Sequence, residues 1–109
     1  MSALEDAKIR AAATYNAASD CYDDPANFFW ARFGRRTIER LHLPAGASVL
    51  DVCCGSGASA IPAAERVGPT GSVLGVDVAD RLLALARAKA AKRGQIGRAS
   101  CRERVCVPV

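Results

Sequence analysis

The residues with the clearest chemical potential lie in one stretch, residues 49–57 (VLDVCCGSG). A short apolar run ends in this stretch, and Gly55 and Gly57 follow it. Glycine has no Cβ, so it permits positive φ and lets a ligand approach the backbone closely. Asp51 adds a carboxylate near the carboxyl end of the run. An acid beside a glycine-rich turn predicts a binding site for a polar small molecule in the crevice above a sheet.

A second acid, Asp77, ends the next apolar run, residues 72–78 (SVLGVDV). An acid at this distance from a glycine-rich turn is suited to accept hydrogen bonds from both hydroxyl groups of a ribose. Each acid also has a structural alternative, since Asp77 is placed to cap the next helix and Asp51 to anchor the loop.

Other reactive side chains favour structural roles. Cys53 and Cys54 are adjacent, without C-x-x-C spacing and with no histidine nearby, so small buried fillers are predicted and no metal site. His42 follows an amphipathic helix and is predicted to lie on the surface.

The elements that position these residues follow from the hydrophobic pattern. An N-terminal helical segment, residues 1–47, should contain helices over residues 6–15 and 25–41, with residues 16–24 as a loop. The second helix should be capped by Asp23 or Asp24 ahead of Pro25. Its apolar residues should lie together on one broad side of the helix; they are Phe28, Phe29, Phe33, Ile38 and Leu41.

Residues 48–94 alternate between strand and helix patterns. Strands are predicted over residues 48–53 and 72–78, and helices over residues 58–67 and 81–93, the last capped by Asp80 and closed by Gly94. This order is the beginning of a Rossmann-like, doubly wound parallel α/β sheet, truncated after its second strand–helix unit.

These residues resemble the class I S-adenosylmethionine-dependent methyltransferases. The family's first motif, D-x-G-x-G-x-G, falls on Asp51, Cys53, Gly55 and Gly57, with Cys53 replacing the first glycine. Its second motif resembles residues 75–90 (GVDVADRLLALARAKA). Residues 27–78 are further similar to the ubiquinone/menaquinone-type C-methyltransferases, so the chain resembles an N-terminal fragment of such an enzyme.

The resemblance implies S-adenosyl-L-methionine as cofactor and a small-molecule or quinone-type methyl acceptor. Asp51 would face the methionine amino group, Asp77 the ribose and Val78 the adenine. Tyr15 would line the cofactor pocket, with packing in the core as its alternative. The full set of implied cofactor contacts is Asp51, Cys53, Gly55, Ser56, Gly57, Asp77, Val78 and Tyr15. No catalytic base is assigned.

Two other function classes stay open. The spacing Gly55-x-Gly57-x-x-Ala60, with Asp77 further on, also fits an NAD(P)- or FAD-binding oxidoreductase. Against it, Asp51 precedes the turn where that fingerprint has apolar residues. The third class is a non-catalytic truncated chain, because only two of the family's seven strands are predicted.

The last residues, 95–109 (QIGRASCRERVCVPV), have no helical or strand period. Residues 96–105 match the translation of a common sequencing adapter without a mismatch, so a non-native tail is predicted. The formal charge of +4 includes no run of like charge and no basic stripe among aromatics, which argues against nucleic acid.

The sequence gives weaker signals for the cellular compartment and the oligomeric state. An odd count of five cysteines with an adjacent pair is no disulfide framework, and neither a secretory signal nor a membrane span is evident. A cytoplasmic location is expected, and the sequence does not fix an oligomeric state.

Overall fold

The computed structural model describes residues 2–94 and the backbone of residues 99–103. Its elements, in chain order, are α1 (Ala3–Ala17), α2 (Ser19–Tyr22), a 3-10 turn (Pro25–Asn27), α3 (Phe29–Leu41), β1 (Ser48–Val52), α4 (Ala60–Val67), β2 (Ser72–Asp77), α5 (Asp80–Lys92) and β3 (Ala99–Glu103). The helices and the two strands predicted within residues 2–94 are confirmed. The predicted loop over residues 16–24 differs, because it contains the single helical turn α2.

The strands form one parallel sheet in the order β1-β2-β3. Ser48 pairs with Ser72 and Val52 with Val76, so the carboxyl ends of β1 and β2 lie side by side at the same end of the sheet. Parallel pairing joined through α4 is the βαβ unit that the sequence predicts.

A third strand, β3, extends the sheet beyond the two predicted strand–helix units. β3 lies within the predicted tail and pairs with the free edge of β2, with Asp77 opposite Glu103. An edge strand offers unpaired N–H and C=O groups to any extended segment, so this pairing needs no hydrophobic pattern. Residues 95–98 and 104–109 lie outside the described residues, and the non-native origin of the tail stays a prediction.

Helices α4 and α5 form the core with the sheet. The core consists of small and medium side chains, since alanine on both helices allows close approach; its buried members are Ile38, Cys54, Ala60, Ala63, Ala64, Val67, Val73, Leu83 and Ala86. Burying a side chain such as Leu83 stabilises the fold by about 1.5–3 kcal/mol. The core lies beneath the turn that joins β1 to α4.

Helix α5 is capped differently from the prediction. Asp80 is its first residue, and Ala79, at the N-cap, offers no side-chain acceptor. Instead Asn16, from α1, accepts a hydrogen bond from the Arg81 N–H (3.0 Å) and donates to Asp80 Oδ1 (2.8 Å). One of the free N–H groups of the helix end is therefore satisfied from another helix, which also links α1 to α5. Gly94, at φ 67°, follows the end of the helix as predicted.

The predicted apolar side of α3 is only partly buried. Ile38 belongs to the core, whereas Phe28, Phe33 and Leu41 each remain about 60% exposed. The buried stripe of α3 runs through Gly34, where a Cβ would overlap the carbonyl oxygen of Ala58. The helix thus contacts the start of α4 through its smallest residue, and Phe33 and Leu41 remain on its more exposed sides.

Among the described residues, no helix is both long and apolar enough to cross a membrane.

Candidate functional site

The turn after β1 reverses the chain through three residues in the left-handed region. Cys53 has φ 60°, Gly55 φ 54° and Gly57 φ 93°. The turn is held to the sheet by the Cys54 N–H, which donates to the carbonyl oxygen of Val76 (3.0 Å). A side chain at positive φ costs about 1 kcal/mol or more, which explains why the related motif places glycine where this chain has Cys53.

The two cysteines have different environments. Cys54 is buried in the core, as predicted for a small filler, but Cys53 is exposed. The prediction is wrong for Cys53, because the left-handed backbone at this position turns its side chain out of the core and into the wall of a crevice.

Asp77 braces the turn from the end of β2. One carboxylate oxygen, Oδ2, accepts from the Gly55 N–H (2.9 Å), and the other, Oδ1, accepts from the Ala79 N–H (2.9 Å). The structural alternative for Asp77, a local cap, is therefore present in the fold. A carboxylate oxygen can accept more than one hydrogen bond, so the brace leaves acceptor capacity for a ligand.

Asp51 is the acid without a complete set of partners. Its Oδ2 atom is buried and accepts no hydrogen bond from the described residues. Burial raises the pKa of Asp51 above its ordinary value, and the negative charge of Asp77 raises that pKa further. An unsatisfied buried carboxylate is destabilising, and a cationic hydrogen-bond donor would relieve both causes at once.

A crevice of about 270 Å³ opens at this edge of the sheet. Its floor is the glycine turn with Asp51, and its wall comes from α2 and α3. The lining residues are Tyr22, Trp30, Phe33, Gly34, Thr37, Asp51, Cys53, Cys54, Gly55, Ser56, Ala58 and Ser59.

Tyr22 and Trp30 are site residues that the sequence analysis missed. Their rings stack at a centroid distance of 5.6 Å and an angle of 9°. The Tyr22 hydroxyl lies 3.8 Å from the position that a Cβ would take at Gly55. Burial, followed by the charges of Tyr15, Asp77 and Asp23, raises the pKa of Tyr22, so the hydroxyl remains a neutral donor.

The signal for Tyr22 was available in the segment TYNAASDCYD. Its two tyrosines are seven residues apart, close to two helical turns, and Tyr22 ends the helical turn that was predicted as loop. Tyr15 itself is about half exposed. It interacts electrostatically with Tyr22 and is not among the lining residues.

The structure brings together only part of the predicted set. The crevice is lined by four of them, Asp51, Cys53, Gly55 and Ser56. Asp77 does not line it, but accepts a hydrogen bond from the N–H of Gly55, which does. Neither Val78, which is half-buried beyond the end of β2, nor Gly57 is a lining residue.

Gly57 serves helix packing. It is buried, and a Cβ there would lie 3.0 Å from Ile61 Cγ1 and 3.4 Å from Ala86 Cβ. Its small size therefore lets the start of α4 approach α5, and its predicted cofactor contact stays a prediction.

The donor set suits a polar organic ligand. It combines the Asp51 carboxylate with its buried oxygen, a glycine turn that Asp77 holds by a hydrogen bond, and the rings of Tyr22 and Trp30. Within residues 2–94, no group of three or more His, Cys, Asp or Glu side chains is arranged to hold a metal ion.

Comparison with known proteins places this arrangement in a family. A family described as "Methyltransferase domain" matches residues 49–105. Nocamycin O-methyltransferase from Saccharothrix syringae is 39% identical over 80 residues, which cover 73% of this chain and 29% of that protein. Demethylmenaquinone methyltransferase from Shouchella clausii is 45% identical over 62 residues, covering 55% of this chain and 26% of that protein.

The fold has the same relatives. A SAM-dependent methyltransferase structure from Aquifex aeolicus superposes with a TM-score of 0.66 at 23% identity, over 85% of this chain and 50% of that one. The chain spans less than a third of the length of the two curated relatives. The family match decides between the two cofactor classes that the glycine spacing alone left open.

Proposed function

The chain belongs to the S-adenosylmethionine-dependent methyltransferase family, and we propose that its crevice binds S-adenosyl-L-methionine for methyl transfer to a small-molecule, quinone-type acceptor. The chain would supply the cofactor half of such an enzyme. No catalytic base is assigned to it.

The observation that carries the proposal is the unpaired carboxylate oxygen of Asp51. The atom is buried, and its residue lines a crevice whose other walls are a glycine turn and aromatic rings. The methionine ammonium group is a cationic donor of the kind that Asp51 lacks. A dinucleotide carries no such ammonium group, so the same oxygen favours the methyl donor over NAD(P) or FAD.

The other residues would divide the remaining contacts. Gly55 has no side chain to block a ligand from the turn, and its N–H is already oriented by Asp77. Asp77 retains acceptor capacity for ribose hydroxyls. Tyr22 and Trp30 line the crevice beside the turn and, with the cofactor bound, would shield the turn from water, which would strengthen the electrostatic contacts inside the crevice.

The bound cofactor supplies a methyl group on a positively charged sulfur, with a neutral thioether as leaving group. For the chain, the chemical task is alignment and exclusion of water, because bringing the two reactants into line removes much of the entropic barrier. Asp51 would hold the methionine end of the cofactor and Asp77 its ribose.

A quinone-type acceptor is supported by the demethylmenaquinone relative and by the aromatic wall formed by Trp30 and Phe33. Flat aromatic rings favour stacking against such side chains. Transfer of a labelled methyl group to a panel of quinone, phenol and amine acceptors, by a chain extended to the length of the relatives, tests this class. Labelling of amines alone would exclude a quinone-type acceptor.

Calorimetric titration of this chain with S-adenosylhomocysteine, S-adenosylmethionine and NAD⁺ tests the cofactor. We expect the two adenosyl compounds to bind and NAD⁺ not to bind. Asp51→Asn should weaken binding by about tenfold or more, since a charge-assisted hydrogen bond is lost. Asp6→Asn, at an exposed acid of α1 outside the crevice, is the matched control and should bind like the unchanged chain. Equal affinity of Asp51→Asn and the unchanged chain would refute the role of Asp51.

A further inference from the structure

Lys89, on α5, forms a cluster of polar contacts beside the crevice. Its Nζ donates to Asp23 Oδ1 (2.9 Å) and to the carbonyl oxygen of Ser56 (2.8 Å). The Ser56 hydroxyl donates to the same oxygen of Asp23 (2.9 Å). Three groups from α5, the glycine turn and the segment after α2 thus share one set of hydrogen bonds, which we call the Lys89 cluster.

The cluster is partly shielded from solvent. Ser56 is only 2% exposed, and the side chains of Lys89 and Asp23 are each about one-third exposed. The Ser56 hydroxyl and the Lys89 ammonium group both need acceptors there, and Asp23 serves both. The ammonium group is therefore the link that joins the turn's own carbonyl to the N-terminal segment.

The cluster also controls the wall of the crevice, because Asp23 directly follows Tyr22 in the chain. Tyr22 lies over Gly55 and stacks on Trp30. Holding Asp23 against α5 therefore holds the two rings against the turn. Helix α1 is attached to α5 through Asn16, and α3 contacts the start of α4 through Gly34. The stretch that Lys89 holds directly is therefore the one around Tyr22, whose ring stacks on Trp30.

We propose that Lys89 is a positioning residue of the cofactor site, which keeps the Tyr22–Trp30 stack closed over the glycine turn by holding Asp23 and the Ser56 carbonyl. Lys89 does not line the crevice itself. Its effect on the cofactor rests on the proposed function, whereas its effect on the two rings does not.

The first experiment uses Trp30, the single tryptophan of the chain, as a reporter without any ligand. Lys89→Met removes the charge and keeps the aliphatic stem of the side chain. We expect a red-shifted Trp30 emission and stronger acrylamide quenching in Lys89→Met and in Asp23→Asn, with no further increase when the two changes are combined. Lys89→Arg, which retains a cationic donor, should restore most of the original signal.

Lys92→Met on the same helix is the matched control, because Lys92 is exposed and takes no part in the cluster. An unchanged Trp30 signal in Lys89→Met would overturn the proposal. So would an equal change in Lys92→Met, or additive changes in the combined Lys89 and Asp23 variant. Circular dichroism of each variant establishes that the helices remain folded during the comparison.

The second experiment titrates S-adenosylhomocysteine into the same variants. Lys89→Met should bind about fivefold more weakly, the upper range for a partly exposed ion pair, and Lys89→Arg should recover. If the unchanged chain binds no S-adenosylhomocysteine, the proposed function fails while the Trp30 result still decides the positioning. If binding is equal in Lys89→Met although Trp30 has moved, the stack does not serve the cofactor and the proposal is wrong.

Discussion

The α4–α5 region and the α3–β1 region of this chain bury their large apolar side chains to different extents. In the α4–α5 region, Leu83 and Val67 are fully buried. In the α3–β1 region, Leu50 and Phe33 are both about 60% exposed. Since the free energy of burial scales with the area removed from water, the α4–α5 region supplies most of the hydrophobic stability. The glycine turn directly precedes α4 in that stable region, and the aromatic residues Trp30 and Phe33 lie on α3 in the other.

The largest expected effect comes from the same substitution made once in each region. Leu83→Ala should lower the free energy of unfolding by about 3 kcal/mol, because it removes buried area and leaves a cavity. Leu50→Ala should change that free energy by no more than about 0.5 kcal/mol, since the side chain is mostly exposed. Urea denaturation of both variants measures the difference. Similar losses for the two would mean that Leu50 is buried in solution, and the comparison would be broken.

Gly34 tests the contact between the two regions. In an exposed helix, replacing glycine with alanine is stabilising by about 1 kcal/mol. Here we expect Gly34→Ala to be destabilising by about 2 kcal/mol, because the new Cβ would overlap the Ala58 carbonyl and push α3 away from α4. Thermal unfolding followed by circular dichroism measures the sign. A stabilised variant would show that α3 does not pack at this position.

The smallest expected effect is the pH dependence caused by Asp51. Its pKa is raised in the folded chain, so folding disfavours its charged form. The resulting penalty is absent below the ordinary pKa of 3.8 and is fully present only above the raised value. Asp51→Asn should therefore be slightly more stable than the unchanged chain near neutral pH, with the difference disappearing as the pH falls.

Unfolding curves between pH 3.5 and about 7 for Asp51→Asn and Asp6→Asn measure this difference. Stability of Asp51→Asn that falls below that of the unchanged chain at neutral pH would contradict the raised pKa. Together with weaker cofactor binding in the same variant, the expected result would identify Asp51 as a residue that costs stability and serves binding.

Local pattern was enough to predict the parallel α/β arrangement and the position of the glycine turn. The β-branched runs predict strands, the glycine pair predicts a turn, and the alanine-rich segments predict helices. The order of these elements along the chain predicts the parallel topology. Asp51 and Asp77 could be placed at one edge because parallel strands end there together.

Contacts between distant segments were not readable in this way. Asn16 caps a helix that begins more than sixty residues later, and Tyr22 lies over Gly55 only because α2 folds onto the turn. The third strand likewise depends on backbone pairing, which leaves no mark in side-chain periodicity.

The sequence by itself therefore determined the fold class, the position of the glycine turn and the placement of Asp51 and Asp77 near the strand ends. These depend on backbone propensity and on residues that are neighbours in the chain. Only the tertiary structure decided which groups share the crevice. It separated Cys53 from Cys54 and assigned Gly57 to helix packing, and it brought Lys89 to Asp23. Those outcomes depend on which side chains meet across the fold, and a hydrogen bond or a van der Waals contact is set by distances of a few ångströms that a linear pattern does not contain.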